Sequence, residues 1–433
     1  MVGIWAASAV SWYRARRPRL GEVLDDRSNN FDLIRLCAAA LVIYGHSFFE
    51  APDDPTPDRV QALLGGAEYS GSIAVYAFFL ISGLLITASM EKHRSALAFV
   101  TLRAARIWPG FVVCAGLLIV AVVPLASGIV PWEPAWRRAA ASCFGADALF
   151  FVRDVCGALP GAFPRTPVPN AFGFSWWTLP AEVHCYAMVL GLGLVLRSRF
   201  SATPRQAARF VVATLALLAA YLVAVRHPPV DSAPFHAEFT VMGGYATYPV
   251  LFFFAGMLLY ALRRYVPVDG TTACVLGAAT LLLPQPNPLL YPALAYGVLA
   301  IAAARPLRRL RLRHDLSYGL YIYGAALQQL VGTLLPGRSA ATNALVSFAV
   351  ALGAAAVSWR CVEAPAIRFG RALVRRQGRF RRGRIGSSLE TRTGVWGRRR
   401  RHDPEGLQAS FGPTAPTDRA IPQCVEGAIE RSR

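Results

Sequence analysis

Apolar residues in this chain fall into runs of about twenty, the length that crosses a lipid bilayer, with short polar stretches between them. The pattern predicts helices over approximately 33–50, 71–89, 108–128, 175–196, 209–226, 245–262, 271–284, 289–304, 316–335 and 342–361. The seventh segment is short for a span, and the eighth contains a proline. We therefore predict an all-α fold, a polytopic membrane bundle of about ten transmembrane helices.

The arginines favour one orientation of this bundle. Arginine-rich stretches near the N terminus, after the second, fourth, sixth and eighth segments, and in the C-terminal tail alternate with stretches poor in arginine. The positive-inside rule then places both termini in the cytoplasm. The outer loop at about 129–174 departs from the rule, and it is apolar enough to hold a re-entrant helix; its arginines are Arg137, Arg138, Arg153 and Arg165.

The composition is typical of a membrane protein, and it changes how the net positive charge is interpreted. Of 433 residues 55% are hydrophobic and 16% are charged, and the formal net charge is +20. In a soluble protein that charge would indicate nucleic acid, but here the arginines flank apolar runs, so we expect no nucleic-acid partner. The eight cysteines form no Cys-x-x-Cys pair, and we expect them to be reduced, buried packing residues.

Three regions are predicted along the chain: a cytoplasmic or interfacial N-terminal segment (1–28), a transmembrane domain (29–370) and a basic tail (371–433). The apolar stretch Val2–Tyr13 has no positive region before it, so we do not expect a cleavable signal there. The tail begins with arginines and continues through Gly, Ser, Pro and charged residues with little apolar periodicity. Such a composition is typical of a disordered cytoplasmic segment.

The first predicted helix carries ionisable residues where a membrane helix normally has none. Asp32 and Arg35 stand at its start and His46 stands near its end. Eleven residues separate Arg35 from His46, which is three turns plus roughly 20°, so both lie on one face about 16 Å apart. Asp32 joins that face one turn earlier. Ionisable groups inside a membrane are functional candidates, and these three indicate a lined path through the bilayer.

Two further sites are candidates for chemistry. Arg103 and Arg106 share a helix face and can converge on one anion, with ordinary positive-inside flanking as the alternative. Glu182 is expected roughly two turns below the outer surface, at the depth of His46, where its carboxylate would orient or charge the imidazole. The alternative for Glu182 is a buried pair with a structural group.

Six more residues are candidates for supporting roles, namely Ser82, Gly83, Trp177, Tyr186, Tyr318 and Glu363. The Ser82-Gly83 pair permits close approach of either a helix or a ligand. Glu363, two residues before Pro365, is expected to end the tenth helix and fix the loop after it. No Gly-x-Ser-x-Gly elbow, His-Glu-x-x-His, Walker loop or Rossmann glycine pattern occurs, which argues against serine hydrolases, zinc proteases and ATP-driven pumps.

Taken in order, these motifs resemble the acyltransferase-3 family of integral-membrane enzymes, which O-acylate bacterial surface and exported polysaccharides. The resemblance covers about residues 29–370 and rests on Arg35-x10-His46, Phe78-Phe79-x-x-Ser82-Gly83-x-x-x-Thr87, Arg103-x-x-Arg106 with Pro109, Trp177-Thr-Leu-Pro-x-Glu182-x-x-x-Tyr186 and Ser358-Trp-x-x-x-Glu363-x-Pro365. The opening Asn29-Asn30-Phe31-Asp32 is similar to members that act on exopolysaccharide or O-antigen. Gly324 stands where the family often has a histidine and Cys185 where it has a phenylalanine, which leaves His46 as the main imidazole.

The resemblance implies a stand-alone, multi-pass O-acyltransferase of the bacterial inner membrane. The donor substrate would be acetyl-CoA, with no permanently bound cofactor or metal, and the acceptor would be a polysaccharide or a lipid-linked glycan. Arg35, Arg103 and Arg106 would hold the donor, while His46 would deprotonate the acceptor hydroxyl or carry the acyl group, with Glu182 orienting it. A permease or glycan flippase without chemistry, or a membrane scaffold with a basic tail, are the alternatives at this point.

Overall fold

The computed structural model describes residues 17–26, 28–148, 156–197, 199–226 and 247–377. The chain divides into two compact units after Arg376, and the second unit beyond Gln377 lies outside the described residues. Most of the predicted N-terminal segment and nearly all of the predicted tail therefore fall outside them. Within the described ranges the chain is helical, with two isolated β-bridges and no strand.

The helices, numbered in chain order, are α1 (Leu20–Asp25), α2 (Phe31–Ser47), α3 (Arg59–Leu63), α4 (Ser70–His93), α5 (Ala96–Ser127), α6 (Pro134–Ala148), α7 (Thr178–Val195), α8 (Pro204–Arg226), α9 (Thr247–Ala261), α10 (Gly270–Leu282), α11 (Leu290–Ala303), α12 (Ser317–Leu334) and α13 (Ala340–Gln377). Each of the ten predicted segments is a helix. Among the described residues, α4, α5, α7, α8 and α13 are long and apolar enough to cross a membrane, and α9, α10 and α11 are shorter apolar helices.

Helix α4 lies at the centre of the bundle and packs against α2, α7 and α9. Its closest contact is with α9, where two glycines face each other's backbone. A Cβ atom on Gly83 would lie 2.1 Å from the carbonyl oxygen of Phe253, and one on Gly256 would lie 2.4 Å from that of Leu80. Only glycine fits at either position, so Gly83 serves helix packing, as small residues do in membrane bundles.

Residues 156–177, which precede α7, descend into the bundle without forming a helix. Gln329 on α12 donates to the carbonyl oxygens of Val168 and Ala171 at 2.6 and 3.1 Å. Further along, the Trp176 indole donates to Ile322 on α12 at 2.8 Å. Because Gln329 and Ile322 are seven residues apart on one helix, the segment descends about 10 Å before α7 begins. The deeper part, Phe172–Trp176, is mostly buried in protein, where irregular backbone is tolerated.

A disulfide joins Cys143 at the end of α6 to Cys156 at the start of this descending segment. The prediction that all cysteines are reduced is therefore wrong for these two, because the fold brings together residues whose spacing matches no short motif. The prediction of burial is also wrong for three others, since the thiols of Cys37, Cys274 and Cys361 are exposed at the bundle surface.

Helix α13 does not end before Pro365, as predicted, but continues to Gln377. A π-turn at Trp359–Glu363 widens the helix immediately before the proline. Such a turn accommodates a ring that would otherwise collide with the preceding backbone. Glu363 is thus an interior residue of a long helix, and residues 371–377, assigned above to the tail, belong to the same helix.

Candidate functional site

A cavity of about 440 Å³ opens where the starts of α2 and α5, the residues before α12, and the later parts of α4 and α13 meet. We call it the basic cavity, because five guanidiniums and two carboxylates line it: Arg35, Arg103, Arg106, Arg313, Arg371, Asp32 and Asp315. The three arginines and the aspartate predicted at the inner end of the path therefore do lie together. Excess positive charge in a cleft of this kind favours a polyanionic ligand.

Asp315 organises two of these arginines, and it was missed by the sequence analysis. Its carboxylate pairs with Arg35 at 3.1 Å and with Arg106, and it also accepts from the Ser317 hydroxyl at 2.5 Å. Burial alone would raise the pKa of Asp315, but the two guanidiniums and Ser317 outweigh it and hold the pKa well below its ordinary value. The sequence feature that could have identified Asp315 was its position as a lone acidic residue after the arginine-rich stretch 305–313.

Arg106 is held on several sides, whereas Arg103 is not. The Arg106 guanidinium lies 5.7 Å from the ring centre of Tyr318 and 5.9 Å from that of Trp359, and 3.8 Å from Glu363. Arg103 has no carboxylate partner among the described residues, and its Nε is buried without a hydrogen-bond partner. Of the three arginines predicted to bind the donor, Arg103 therefore has the most unused donor capacity.

A small central cavity of about 50 Å³ continues inward from the basic cavity and shares Arg35 and Ser82 with it. Glu182 lines it and accepts from the Ser82 hydroxyl at 2.9 Å and from the Tyr186 hydroxyl. Of the two uses predicted for the Ser82-Gly83 pair, helix packing is confirmed for Gly83, which packs on α9. Ser82 faces the cavity, and its approach to a ligand stays a prediction. Tyr318 also lines the central cavity, and its hydroxyl donates to the Ile107 carbonyl at 2.8 Å.

His46 lies deeper along α2, in an aromatic environment. Its ring is 4.8 Å from that of Phe174, 6.4 Å from Tyr69 and 6.3 Å from Phe49, measured between ring centres. The side chain is 7% exposed, and its Nδ1 atom is buried without a hydrogen-bond partner. Phe174 belongs to the descending segment, and Thr178 a turn later lines the central cavity, so one short stretch joins the two sites.

The structure does not bring Glu182 to His46. The hydrogen bonds of Glu182 go to Ser82 and Tyr186, while His46 is surrounded by aromatic rings. The expected depth was wrong because α7 begins inside the bundle rather than at its surface: Thr178 at its start hydrogen-bonds Tyr321, only four residues from the start of α12. Glu182 is therefore displaced along the bundle axis toward the basic cavity.

A buried ion pair lies just beyond His46. Glu50 is fully buried, and its carboxylate pairs with Arg338, which precedes α13, at 3.2 Å. Burial raises the pKa of Glu50 to about 7, although Arg338 opposes the rise. The pair lies where α2, α12 and α13 meet, at the end of these helices away from the basic cavity.

Gly324 and Trp177 have clear places in the fold. A Cβ on Gly324 would lie 3.1 Å from Ile43, so this position on α12 packs directly on α2 and has no room for an imidazole. Trp177, half-buried before α7, lines a separate cavity at the opposite end of the bundle from the basic cavity.

Comparisons with known proteins identify the family of this chain. The family model Acyl_transf_3, described as an acyltransferase domain, matches residues 28–362. An O-acetyl transferase of Shigella phage Sf6 is 27% identical over 78% of this chain and 95% of its own length. Nodulation protein 10 of Rhizobium leguminosarum bv. viciae is 28% identical over 81% of this chain and 96% of its own length. No solved structure matches. Since the family model spans most of the chain, the protein belongs to the acyltransferase-3 family.

Proposed function

We propose that this enzyme moves an acetyl group from acetyl-CoA in the cytoplasm to a hydroxyl of a surface or exported polysaccharide, or of its lipid-linked precursor. The observation that carries the proposal is the layout of α2. One continuous helix places Arg35 in the basic cavity and His46 in a buried aromatic pocket about 16 Å further along. A binding site for phosphates and a proton acceptor on the same helix suit a donor that enters from one side.

The basic cavity would seat the phosphates of the donor. Arg103 offers unused donors, and Arg35 and Arg106 would share their guanidiniums between Asp315 and the pyrophosphate. A groove of about 640 Å³ adjoins the basic cavity through Trp359 and Arg371, and it also carries Arg360 and Arg368. That groove gives the nucleotide half of the donor room and further cations.

The pantetheine arm would pass through the central cavity toward His46. About a dozen bonds separate the pyrophosphate from the sulfur, and extended as in a peptide they span about 14 Å. That length is close to the rise of about 16 Å along α2 between Arg35 and His46. Because the central cavity is narrow and the Phe78 and Tyr321 rings meet at 5.8 Å on its wall, we expect these rings to move when the arm enters.

At His46 the imidazole would take the proton of the acceptor hydroxyl as its oxygen attacks the thioester carbonyl carbon. The carbon–sulfur bond then breaks, and the thiolate of CoA leaves and recovers a proton. Direct attack by the imidazole, with a short-lived acyl-imidazole, is the second route open to the same residue. Glu182, fixed by Ser82 and Tyr186, would balance the charge of Arg35 and shape the donor passage rather than touch His46.

The proposed orientation rests on two features at opposite ends of the bundle. The basic cavity gathers the start of α5 and its arginines, and basic loops face the cytoplasm. The Cys143–Cys156 disulfide follows the other end of α5, and disulfides persist in oxidising compartments outside the cytoplasm. Both features fit a multi-pass protein of a bacterial inner membrane with ten spans and both termini inside.

The test is transfer of labelled acetyl from acetyl-CoA to glycan by purified protein. We expect His46→Ala to reduce transfer by at least about a hundredfold while the protein still binds CoA and melts normally. Transfer by His46→Ala at the wild-type rate would remove His46 from the mechanism. A permease or flippase would give no labelled glycan with the wild-type protein either, while still moving glycan across vesicles.

A further inference from the structure

A second cavity of about 370 Å³ lies at the end of α2 away from the basic cavity. We call it the aromatic cavity, because Phe48, Phe49, Tyr69 and Trp177 line it together with Gln61 and Glu68. Its volume falls within the range of small-ligand sites, about 300–1,000 Å³. It is therefore large enough for one or two sugar units of a longer chain.

The aromatic cavity shares walls with the environment of His46. Tyr69 and Phe49 line the cavity and also face the imidazole, at 6.4 and 6.3 Å between ring centres. Gly45, the residue before His46, is part of the lining, and a Cβ there would lie 2.7 Å from the backbone nitrogen of Gly71. A ligand in the cavity would thus lie one aromatic layer away from the reacting imidazole.

The loop that forms this wall is held in place from within. Asp58 is 3% exposed and accepts from the backbone of Val60 at 2.9 Å, capping α3. The same carboxylate accepts from the Ser70 backbone at 2.8 Å and from its hydroxyl at 2.6 Å. Glu68 is fixed in turn by the hydroxyls of Tyr76 and Tyr291 at 2.9 and 3.2 Å. The cavity is therefore a preformed site rather than a gap under a loose loop.

The chemistry of the lining selects among sugars. Aromatic faces suit the C–H faces of a pyranose ring, and the Gln61 amide and the Glu68 carboxylate can bond its hydroxyls. Among the described residues that line the cavity, two are carboxylates and none is a cation. An anionic sugar such as a uronate would bring a third negative charge into this cleft without a counter-ion.

We propose that the aromatic cavity binds a neutral pyranose unit of the acceptor, next to the unit whose hydroxyl reaches His46. The inference rests on the proposed acetyl transfer and adds the acceptor class and its seat. Gln61 and Trp177 are specificity-determining residues of this seat. Because the donor enters at the other end of the bundle, changes here act on the acceptor alone.

The experiment compares wild-type protein with Gln61→Ala and Trp177→Ala, using labelled acetyl-CoA and two oligosaccharide sets. One set contains neutral hexose, deoxyhexose and N-acetylhexosamine chains, and the other contains uronate chains. We expect transfer to neutral chains only, and a rise of about tenfold or more in the acceptor KM of both variants with the acetyl-CoA KM unchanged. Leu63→Ala, at an exposed position on the same short helix, is the matched control and should match wild type.

Equilibrium binding of the neutral chains, measured without acetyl-CoA, separates the two proposals. Gln61 lies on the surface and its side chain has little structural role, so its variant reports on binding even if Trp177→Ala misfolds. Unchanged acceptor KM and binding in Gln61→Ala, or preference for uronate chains, would overturn the acceptor seat alone. Binding of neutral chains that Gln61→Ala weakens, without any acetyl transfer, would instead keep the seat and remove the proposed reaction.

Discussion

At the scale of single residues, the arginines of the basic cavity differ in the side chains that they contact. Arg106 pairs with Asp315, approaches Glu363 and lies over two aromatic rings, whereas Arg103 has no carboxylate partner among the described residues. A cation that satisfies buried carboxylates is part of the fold. A cation without such a partner is available to a ligand.

We therefore expect Arg103→Gln to affect donor binding alone and Arg106→Gln to affect both donor binding and stability. Arg103→Gln should raise the KM for acetyl-CoA by about tenfold, the worth of one charge-assisted hydrogen bond, with an unchanged melting temperature. Arg106→Gln should also lower the free energy of unfolding by about 2 kcal/mol, because it leaves Asp315 and Glu363 short of a partner. Kinetics and thermal melting of both variants in detergent check this. Equal melting losses in the two variants would contradict the distinction.

Glu50 provides a pH-dependent prediction. Its pKa in the fold is about 7, above the ordinary value of 4.5, so the folded state holds this proton more tightly than the unfolded state does. The stability it contributes is complete below pH 4.5 and is lost as pH rises through about 7. The melting temperature of the wild type should therefore be lower at about pH 8.5 than at about pH 5, and the difference should be smaller for Glu50→Gln. The same fall in both proteins would show that another group is responsible.

At the scale of elements, the decisive feature is the depth at which α7 begins. The descending segment anchors to α12 through Gln329 and carries Phe174 to the His46 ring. It also lowers the start of α7, so Glu182 lines the central cavity and does not contact the imidazole. One irregular stretch thus determines which residues meet at each level of the bundle.

Gln329→Met tests this anchor. The change keeps the side-chain volume but leaves the Val168 and Ala171 carbonyls without their donor, which should cost about 1–3 kcal/mol of stability. We also expect slower acetyl transfer, since Phe174 loses its fixed position against His46. Thr333→Val is the control, because the Thr333 hydroxyl bonds only within α12, to Gln329. Wild-type stability and activity in Gln329→Met would show that the descending segment is held by other contacts.

The α4–α9 contact gives a steric prediction with an internal control. Gly83→Ala would bring a Cβ to 2.1 Å from a backbone oxygen, whereas Gly353→Ala on α13 meets nothing within 4 Å. Gly83→Ala should destabilise the protein by at least about 1–3 kcal/mol, as overpacking does, and Gly353→Ala should be neutral or slightly stabilising. Detergent melting curves compare them; a neutral Gly83→Ala would mean that α4 and α9 separate freely.

At the scale of the whole molecule, three cavities lie along the α2 axis: basic, central and aromatic. The helices were predictable, because most apolar runs are long and uniform, and the family resemblance grouped Arg103 and Arg106 with Arg35. The level of Glu182 was not, because no local pattern marks where a chain enters a bundle. Asp315 was missed because its partners Arg35 and Arg106 are distant in sequence. The Cys143–Cys156 pair was missed because its spacing of 13 residues matches no short motif.

The proposed mechanism brings donor and acceptor together from opposite faces of the membrane. Positive charge is concentrated at the basic cavity, while the disulfide and the acidic, aromatic acceptor seat lie toward the other end. An enzyme built in this way has no need for acetyl-CoA to leave the cytoplasm. In the proposed mechanism the acetyl group alone would cross, along α2 from the arginines to His46.

The most direct measurement uses proteoliposomes with neutral glycan acceptor sealed inside and labelled acetyl-CoA added outside, where correctly oriented molecules expose the basic cavity. We expect labelled glycan to accumulate inside with wild-type protein, and none with His46→Ala. Labelling only when donor and acceptor share one compartment, or undiminished labelling by His46→Ala, would contradict transfer across the membrane through His46.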